Sequence, residues 1–147
     1  MKKSLCLLAL VCLTGLFASA QAASDHVALV KNVTGTVQVV RADKTFDATS
    51  QTTLQIDDRV VSSSRSTAAI VFRDGTLLTL GSGADIQVRD YVFEPKTNQY
   101  AFSLYMAKGS AIYESGKISK VAPDAVRIET PTATVGVRGT RFLIEAN

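Results

Sequence analysis

Few side chains in this 147-residue chain have the chemistry that a catalytic centre needs. His26 is the one histidine, and it stands near the expected start of the exported chain, where a residue is too weakly held to act as a positioned general base. Zinc sites normally use His and Cys ligands, but both cysteines, Cys6 and Cys12, lie in an N-terminal apolar run. The sequence therefore predicts no catalytic residues of this kind, no cofactor and no metal.

Carboxylates are the remaining candidates for chemistry. Asp57 and Asp58 are adjacent, and Asp85 and Asp90 follow further along the chain. An enzyme without His or Cys would need such paired carboxylates. A calcium site would need a cluster of them, and no EF-hand loop pattern is present. We interpret Asp57-Asp58 as a solvated turn and predict that the protein is not an enzyme.

Two arginines near the end of the chain could bind a partner. The guanidinium groups of Arg138 and Arg141 could each hold a carboxylate or a phosphate through two parallel hydrogen bonds. The alternative, which we favour, is that both arginines form internal ion pairs. The expected acceptors for such pairs are Asp58, Asp74 or Glu129.

Four tyrosines surround a polar loop at residues 94–99: Tyr91, Tyr100, Tyr105 and Tyr113. Exposed aromatic rings can bind sugars or protein partners. Because strand residues alternate between two faces, some of these rings should pack in the core, and we expect two of the four to do so. We name Tyr91 and Tyr100 as candidate partner contacts.

The N-terminus has the pattern of an export signal. Lys2 and Lys3 precede an apolar run over residues 4–17, and small residues follow, with cleavage expected near Ala22. The run is short for a membrane span. We therefore predict a signal peptide at 1–22, one domain at 23–147, and a periplasmic or secreted protein. Since both cysteines fall in the signal, no disulfide is expected in the exported chain.

The charge of the exported chain is small. Without Lys2 and Lys3, the 16 basic residues fall to 14 against 13 acidic ones. No basic run occurs after the signal, and the chain has no tryptophan. Nucleic acids are bound through clustered positive charge, so we predict no nucleic-acid partner.

The remaining chain predicts strands joined by turns. Apolar and polar residues alternate at 35–40, and the apolar positions are mostly β-branched or aromatic. Asp74-Gly75 and Lys108-Gly109 are predicted turns, residues 94–99 a hairpin loop, and residues 43–53 a loop or irregular edge. Residues 115–124 are predicted to be a polar connection, and no substantial helix is expected.

Short strands centred on Ile70, Leu78 and Ile86 are spaced eight residues apart. This spacing suits a β-solenoid, in which each rung covers its neighbour's edge. An antiparallel meander or sandwich gives a similar spacing. The pattern alone does not separate these architectures.

Several short segments follow one another in a recognisable order along the chain. They are Gly35-Thr-Val-Gln-Val39, Ile56-Asp-Asp-Arg-Val60, Ser66-Thr-Ala-Ala-Ile-Val-Phe72, Asp74-Gly-Thr76, Leu78-Thr-Leu80-Gly81, Lys108-Gly109, Ser115-Gly116 and Thr130-Pro-Thr-Ala-Thr-Val-Gly-Val-Arg-Gly-Thr-Arg-Phe142. In this order they resemble the FecR domain, the periplasmic portion of FecR-type signalling regulators. The resemblance spans residues 34–144, and its closing segment is the most specific. Asp57 stands where that family usually has glycine.

The resemblance implies an all-β domain with solenoid-like stacking of short strands; an antiparallel β-sandwich is the alternative. It also implies a non-catalytic sensory or protein-interaction accessory module in the bacterial cell envelope. The expected partner is an envelope protein, either a membrane sensor or a transporter. The alternatives are binding of the cell wall or a polysaccharide glycan, and a structural scaffold subunit. A homodimer, or docking of a partner at the last strand, is also expected, since the end of a stacked sheet needs a cap.

Overall fold

The computed structural model describes residues 25–139 and 141–147. The predicted signal peptide and its cleavage near Ala22 lie outside these residues. Within them the chain forms twelve strands, one short α-helix, α1 (Lys117–Val121), and two 3-10 helices, Pro95–Thr97 and Pro123–Ala125. The strands are β1 (Ala28–Thr34), β2 (Val37–Arg41), β3 (Lys44–Asp47), β4 (Thr53–Leu54), β5 (Arg59–Ser62), β6 (Thr67–Phe72), β7 (Leu77–Leu80), β8 (Asp85–Glu94), β9 (Gln99–Glu114), β10 (Val126–Glu129), β11 (Thr134–Gly136) and β12 (Arg141–Ala146).

These strands form one curled, mostly antiparallel sheet, a half-barrel, which confirms the all-β prediction. The order along the sheet is β3-β2-β5-β8-β9-β7-β6-β1-β4. Three further strands add to β9 or to each other: β10 lies parallel to β9, β11 pairs with β10, and β12 pairs antiparallel with β9. The sheet curls because its strands twist, and the curl encloses the core.

The central strand is β9, which has two neighbours along each half. Its first half pairs with β8 and β10, and its second half pairs with β7 and β12. The predicted turn at Lys108-Gly109 is therefore wrong, because the strand continues through it. Gly109 has φ +91°, and a Cβ there would lie 2.7 Å from the backbone nitrogen of Ala84. The glycine bends the strand and does not reverse it.

The eight-residue spacing of short strands corresponds to an antiparallel hairpin followed by a strand elsewhere in the sheet. The strand of Ile70 pairs with the strand of Leu78, as successive arms of a hairpin. The strand of Ile86 lies elsewhere, between β5 and β9, with Ile86 opposite Val60 and Met106. The half-barrel thus takes the place of solenoid coils, since a tight turn such as Asp74-Gly75 reverses the chain and leaves no room for a parallel crossover.

The core follows the period-2 alternation that strands impose. On β6 the buried residues are Ala68, Ile70 and Phe72, and on β7 they are Leu78 and Leu80. The aromatic rings are also divided between core and surface. Tyr91 and Tyr113 are buried, and Tyr100 and Tyr105 are half-exposed, as expected for two of the four tyrosines.

The polar stretch at 43–53 contains the exposed edge strand β3, in keeping with the predicted irregular edge. The interpretation of Asp57-Asp58 as a solvated turn is wrong for Asp58. Its side chain is 1% exposed, and Arg41 donates to both carboxylate oxygens, at 2.8 and 2.6 Å. Asp57 is exposed and has φ +72°, the left-handed conformation that favours the glycine usual at this place in the family.

Candidate interaction surface around the short helix

A buried carboxylate holds the start of α1 in place. Asp74 is 1% exposed, and its Oδ2 accepts hydrogen bonds from the Ile118 backbone N–H at 3.1 Å and from the Thr76 hydroxyl at 2.8 Å. Its carbonyl oxygen accepts from the Lys117 N–H at 2.9 Å. A five-residue helix is not stable alone, and Gly116 at its N-cap offers no side chain. Asp74 therefore supplies the missing cap from a different part of the chain.

Tyr91 completes this polar cluster from β8. Its hydroxyl accepts from the Asp74 N–H at 2.8 Å and donates to Asp74 Oδ1 at 3.1 Å. Burial, together with the negative charge of Asp74, raises the pKa of Tyr91 well above its ordinary value. Burial likewise raises the pKa of Tyr113, whose hydroxyl is 3.0 Å from that of Ser119 on α1. Both phenols stay protonated and bind the elements together.

Gly116 makes the approach of α1 to Asp74 possible. A Cβ on Gly116 would lie 2.6 Å from Asp74 Oδ2 and would also clash with the Thr76 backbone nitrogen. The Asp74-Gly-Thr76 and Ser115-Gly116 segments, far apart in the sequence, thus form one structural unit. This unit fixes where the exposed face of α1 points.

The exposed face of α1 borders an apolar hollow of about 290 Å³. The rings of Phe93 and Tyr100 lie 6.2 Å apart, and Val121 is 59% exposed. Lys117 and Lys120 complete one side, and within the described residues neither forms a salt bridge. An apolar floor with unpaired cations at its rim suits an apolar group accompanied by negative charge. The lining residues are Phe93, Pro95, Tyr100, Lys117, Lys120 and Val121.

Two adjoining hollows extend this surface toward the end of the chain. One shares Lys120 with the apolar hollow and includes Arg138; the other shares Arg138 and includes Arg127. Arg138 lies 3.2 Å from Asp124, but their side chains are 78% and 89% exposed. Such a solvated pair is weak, so the guanidinium group is available to a partner. We call the region lined by these three hollows the α1 surface.

The four candidate contact residues fall in three places. Tyr100 and Arg138 lie on the α1 surface. Arg141 lies on β12, 3.2 Å from Glu114 across the β9 pairing, and is 65% exposed. Tyr91 is 4% exposed and bonded to Asp74. The arginines do form ion pairs, but with acceptors other than those expected, and whether any of the four residues binds a partner stays a prediction.

The carboxylates that were expected to pair with Arg138 and Arg141 have other partners. Asp58 pairs with Arg41, and Glu129 pairs with Arg89 at 2.8 Å. The side-chain hydrogen bond to Asp58 raises the pKa of Arg41, so its guanidinium group stays charged. The candidate carboxylate Asp85 is likewise paired, with Arg59. Among residues 25–139 and 141–147, no three His, Cys, Asp or Glu side chains are grouped closely enough to hold a metal ion.

The sequence does not point to Lys117, Lys120 or Val121 as surface contacts, because the pattern of residues 115–124 predicts a polar connection. The sequence signal for a helix here is weak, because only Ile118 is buried among the five residues of α1. An apolar periodicity cannot be detected over so short a segment.

The family model for FecR protein matches residues 58–147, more than half of the chain. The chain belongs to the FecR family. No curated protein and no solved structure matches it. FecR domains are regulatory, so the family supports a role in regulation at the cell envelope.

The matched FecR segment begins at Asp58 and contains the structural parts described above. Asp58 fixes the turn before β5, and Asp74 with Gly116 fixes α1. Residues 34–57, included in the predicted resemblance, precede the matched range. In the part of the chain that the structure describes, no helix has the length and apolar character of a membrane span.

Proposed function

We propose that this protein is an exported, non-catalytic FecR-type domain that acts as a sensory or protein-interaction accessory in the bacterial cell envelope. Family membership supports the regulatory role, and the predicted signal peptide at 1–22 supports export to the periplasm or beyond. The proposed partner is an envelope protein, either a membrane sensor or a transporter.

The observation that carries the proposal is the α1 surface. It combines exposed apolar side chains with Lys117 and Lys120, which form no salt bridge with the described residues, and it is held in place by the buried Asp74 cluster. Rigid positioning lowers the entropic cost of binding. Aromatic residues and arginines are enriched where binding energy concentrates, and Tyr100 and Arg138 provide one of each.

Site-specific photo-crosslinking in the native host tests this proposal. A photoreactive residue replaces Val121 on the α1 surface or, as the control, Phe46 on β3, which is 36% exposed. The expected result is one envelope protein crosslinked from position 121 and absent from position 46. Identical products from the two positions, or crosslinks to wall glycan alone, would overturn the proposal.

A charge reversal provides a second test. Lys117→Glu with Lys120→Glu should reduce recovery of the crosslinked partner at least tenfold, because both cations at the rim are replaced by repelling charges. Lys31→Glu, a charge reversal at an exposed position on β1, is the control and should keep wild-type recovery. Equal recovery from both variants would contradict a role for the α1 surface.

A further inference from the structure

The last strand, β12, has an open edge. It pairs with β9 along one side, from Arg141 opposite Glu114 to Ala146 opposite Gly109. Within residues 25–139 and 141–147, no strand pairs with its other side. Such an edge presents a row of unpaired N–H and C=O groups that can template another strand.

Among the single-partner strands, β12 is the longest. It has six residues, whereas β3 has four, β11 has three and β4 has two. It contains no proline, and its pairing with β9 has no bulge. Devices that normally block the pairing of sheet edges are therefore absent from this described strand, apart from two charged side chains.

The side chains of β12 alternate strictly between two faces. Arg141, Leu143 and Glu145 are exposed, while Ile144 and Ala146 are buried. Leu143 is 59% exposed, among the most exposed large apolar side chains in the described part of the chain. The outer face thus has a cation, an apolar residue and an anion at successive positions.

We propose that β12 pairs antiparallel with β12 of a second copy, with Leu143 on the two-fold axis. This site is separate from the α1 surface and does not depend on it. In this register Arg141, whose Nε also lies 3.2 Å from Glu114 on β9, is opposite Glu145 of the second copy, and Glu145 is opposite Arg141 of the second copy. Two opposite-charge pairs then flank a Leu143–Leu143 contact, and such cross-strand pairs stabilise a sheet.

The register follows from the two-fold symmetry. In an antiparallel pair, directly opposite residues lie on the same face, so a symmetric pairing is centred on one residue. A centre at Phe142 or Ile144 would place Leu143 opposite a charged residue and leave one charge unmatched. Only the centre at Leu143 matches both charges while Phe142 lies opposite Ile144 on the core side.

The other edge strand with charges of both signs, β3, cannot form such matched charge pairs with a second copy. On β3, Lys44 and Asp47 are three residues apart and therefore lie on opposite faces. They cannot face each other across a symmetric pair. Self-complementary charge is specific to β12 among the charged edges described.

A single six-residue strand edge forms a small interface, so the dimer should be weak and depend on concentration. Analytical ultracentrifugation of the exported protein over a micromolar-to-millimolar series is the direct test. R141E places a carboxylate opposite Glu145, and E145R places a guanidinium opposite Arg141. Each variant alone should dimerise at least about tenfold more weakly than the wild type.

Mixing the two variants makes the test specific to this register. In a mixed pair, the two carboxylates of the R141E strand face the two guanidinium groups of the E145R strand. A heterodimer should therefore form on mixing, at concentrations where each variant alone is monomeric. K31E, a charge reversal at an exposed position on β1, is the matched control and should dimerise as the wild type does.

A cysteine variant gives a readout independent of charge. In the proposed register, L143C brings two thiols within the Cα separation that a disulfide requires, so mild oxidation should yield a covalent dimer. The oxidised wild-type exported protein is the control and should stay free of covalent dimer. A monomeric wild type at the highest concentration, no gain on mixing, or no L143C disulfide would each overturn the proposal.

Discussion

At the scale of single residues, Asp74 shows how a buried carboxylate is satisfied by hydrogen bonds, since it forms no salt bridge with the described residues. Its carboxylate accepts from Thr76, Tyr91 and the Ile118 backbone N–H. Hydrogen bonds to an ionised acceptor are stronger than neutral ones. Together they connect β8 and α1 to the turn that follows β6, so one side chain positions three elements.

Gly116→Ala should destabilise the protein by about 2 kcal/mol, because the added methyl group clashes with Thr76 backbone and Asp74 carboxylate atoms that cannot easily move. Gly139→Ala is the matched control, since a Cβ there meets nothing within 4 Å. Chemical denaturation measures both changes. Equal stability of the two variants would show that α1 does not need this close approach.

Tyrosine ionisation should reduce stability in alkaline solution. The folded-state pKa of Tyr91 is raised by burial and by Asp74, and that of Tyr113 by burial. The ordinary pKa of tyrosine is about 10. Above this pH the tyrosines of the unfolded chain lose protons that Tyr91 and Tyr113 retain in the folded chain. The free energy of unfolding therefore falls as pH rises past this value, and the contribution is fully present below it.

Tyr91→Phe tests this assignment. At neutral pH the free energy of unfolding of the variant should be about 1–3 kcal/mol lower than that of the wild type. The reason is that the Asp74 backbone N–H loses its acceptor and the Asp74 carboxylate loses a donor. Above pH of about 10, its stability should fall less steeply than that of the wild type. Urea titrations at a series of pH values give both slopes, and parallel slopes would contradict the role of Tyr91.

At the scale of elements, Gly109 marks the place where β9 changes its neighbours. The strand leaves β8 and joins β7 near Gly109, whose φ of +91° is rare for other residues. Glycine is a frequent turn signal, so the local sequence did not show whether the chain bends or reverses at this position. The difference depends on Ala84, which contacts Gly109 from a distant part of the chain.

Gly109→Ala should destabilise the protein by about 2–3 kcal/mol, because it combines an unfavourable φ with a clash against the Ala84 backbone. Lys108→Ala, at the exposed neighbouring position, should change stability by less than about 0.5 kcal/mol. Thermal unfolding compares the two variants. A small effect of Gly109→Ala would indicate that β9 can bend elsewhere.

At the scale of the whole molecule, a chain of aromatic contacts crosses the half-barrel. Phe102 contacts Phe72, Tyr91 and Tyr113, with ring centroids 4.8, 5.9 and 5.8 Å apart. Tyr113 in turn contacts Phe142 at 5.1 Å. These rings come from β6, β8, β9 and β12, so the halves of the sheet share one core and should unfold together.

Phe102→Ala should therefore cost about 3–5 kcal/mol and lower the stability of every strand at once. Phe46→Ala, at a ring 36% exposed on β3, should cost less than about 1 kcal/mol. Denaturation followed by both circular dichroism and tyrosine fluorescence checks this. Two separate transitions in the wild type would show that the sheet does not unfold as one unit.

The sequence by itself determined the strand content, the resemblance to FecR and the number of tyrosines that pack in the core, but not which ones, since Tyr91, a candidate contact, is buried. These properties depend on alternation, turn residues and ordered motifs, which are local signals. It did not determine the pairing of Ile86 with Val60, the burial of Asp58 or the exposed face of α1. Those depend on residues that meet only after folding: Asp58 with Arg41, and Asp74 with Ile118. Tertiary structure decided them because a short helix and a buried carboxylate are stable only where distant backbone groups satisfy their hydrogen bonds.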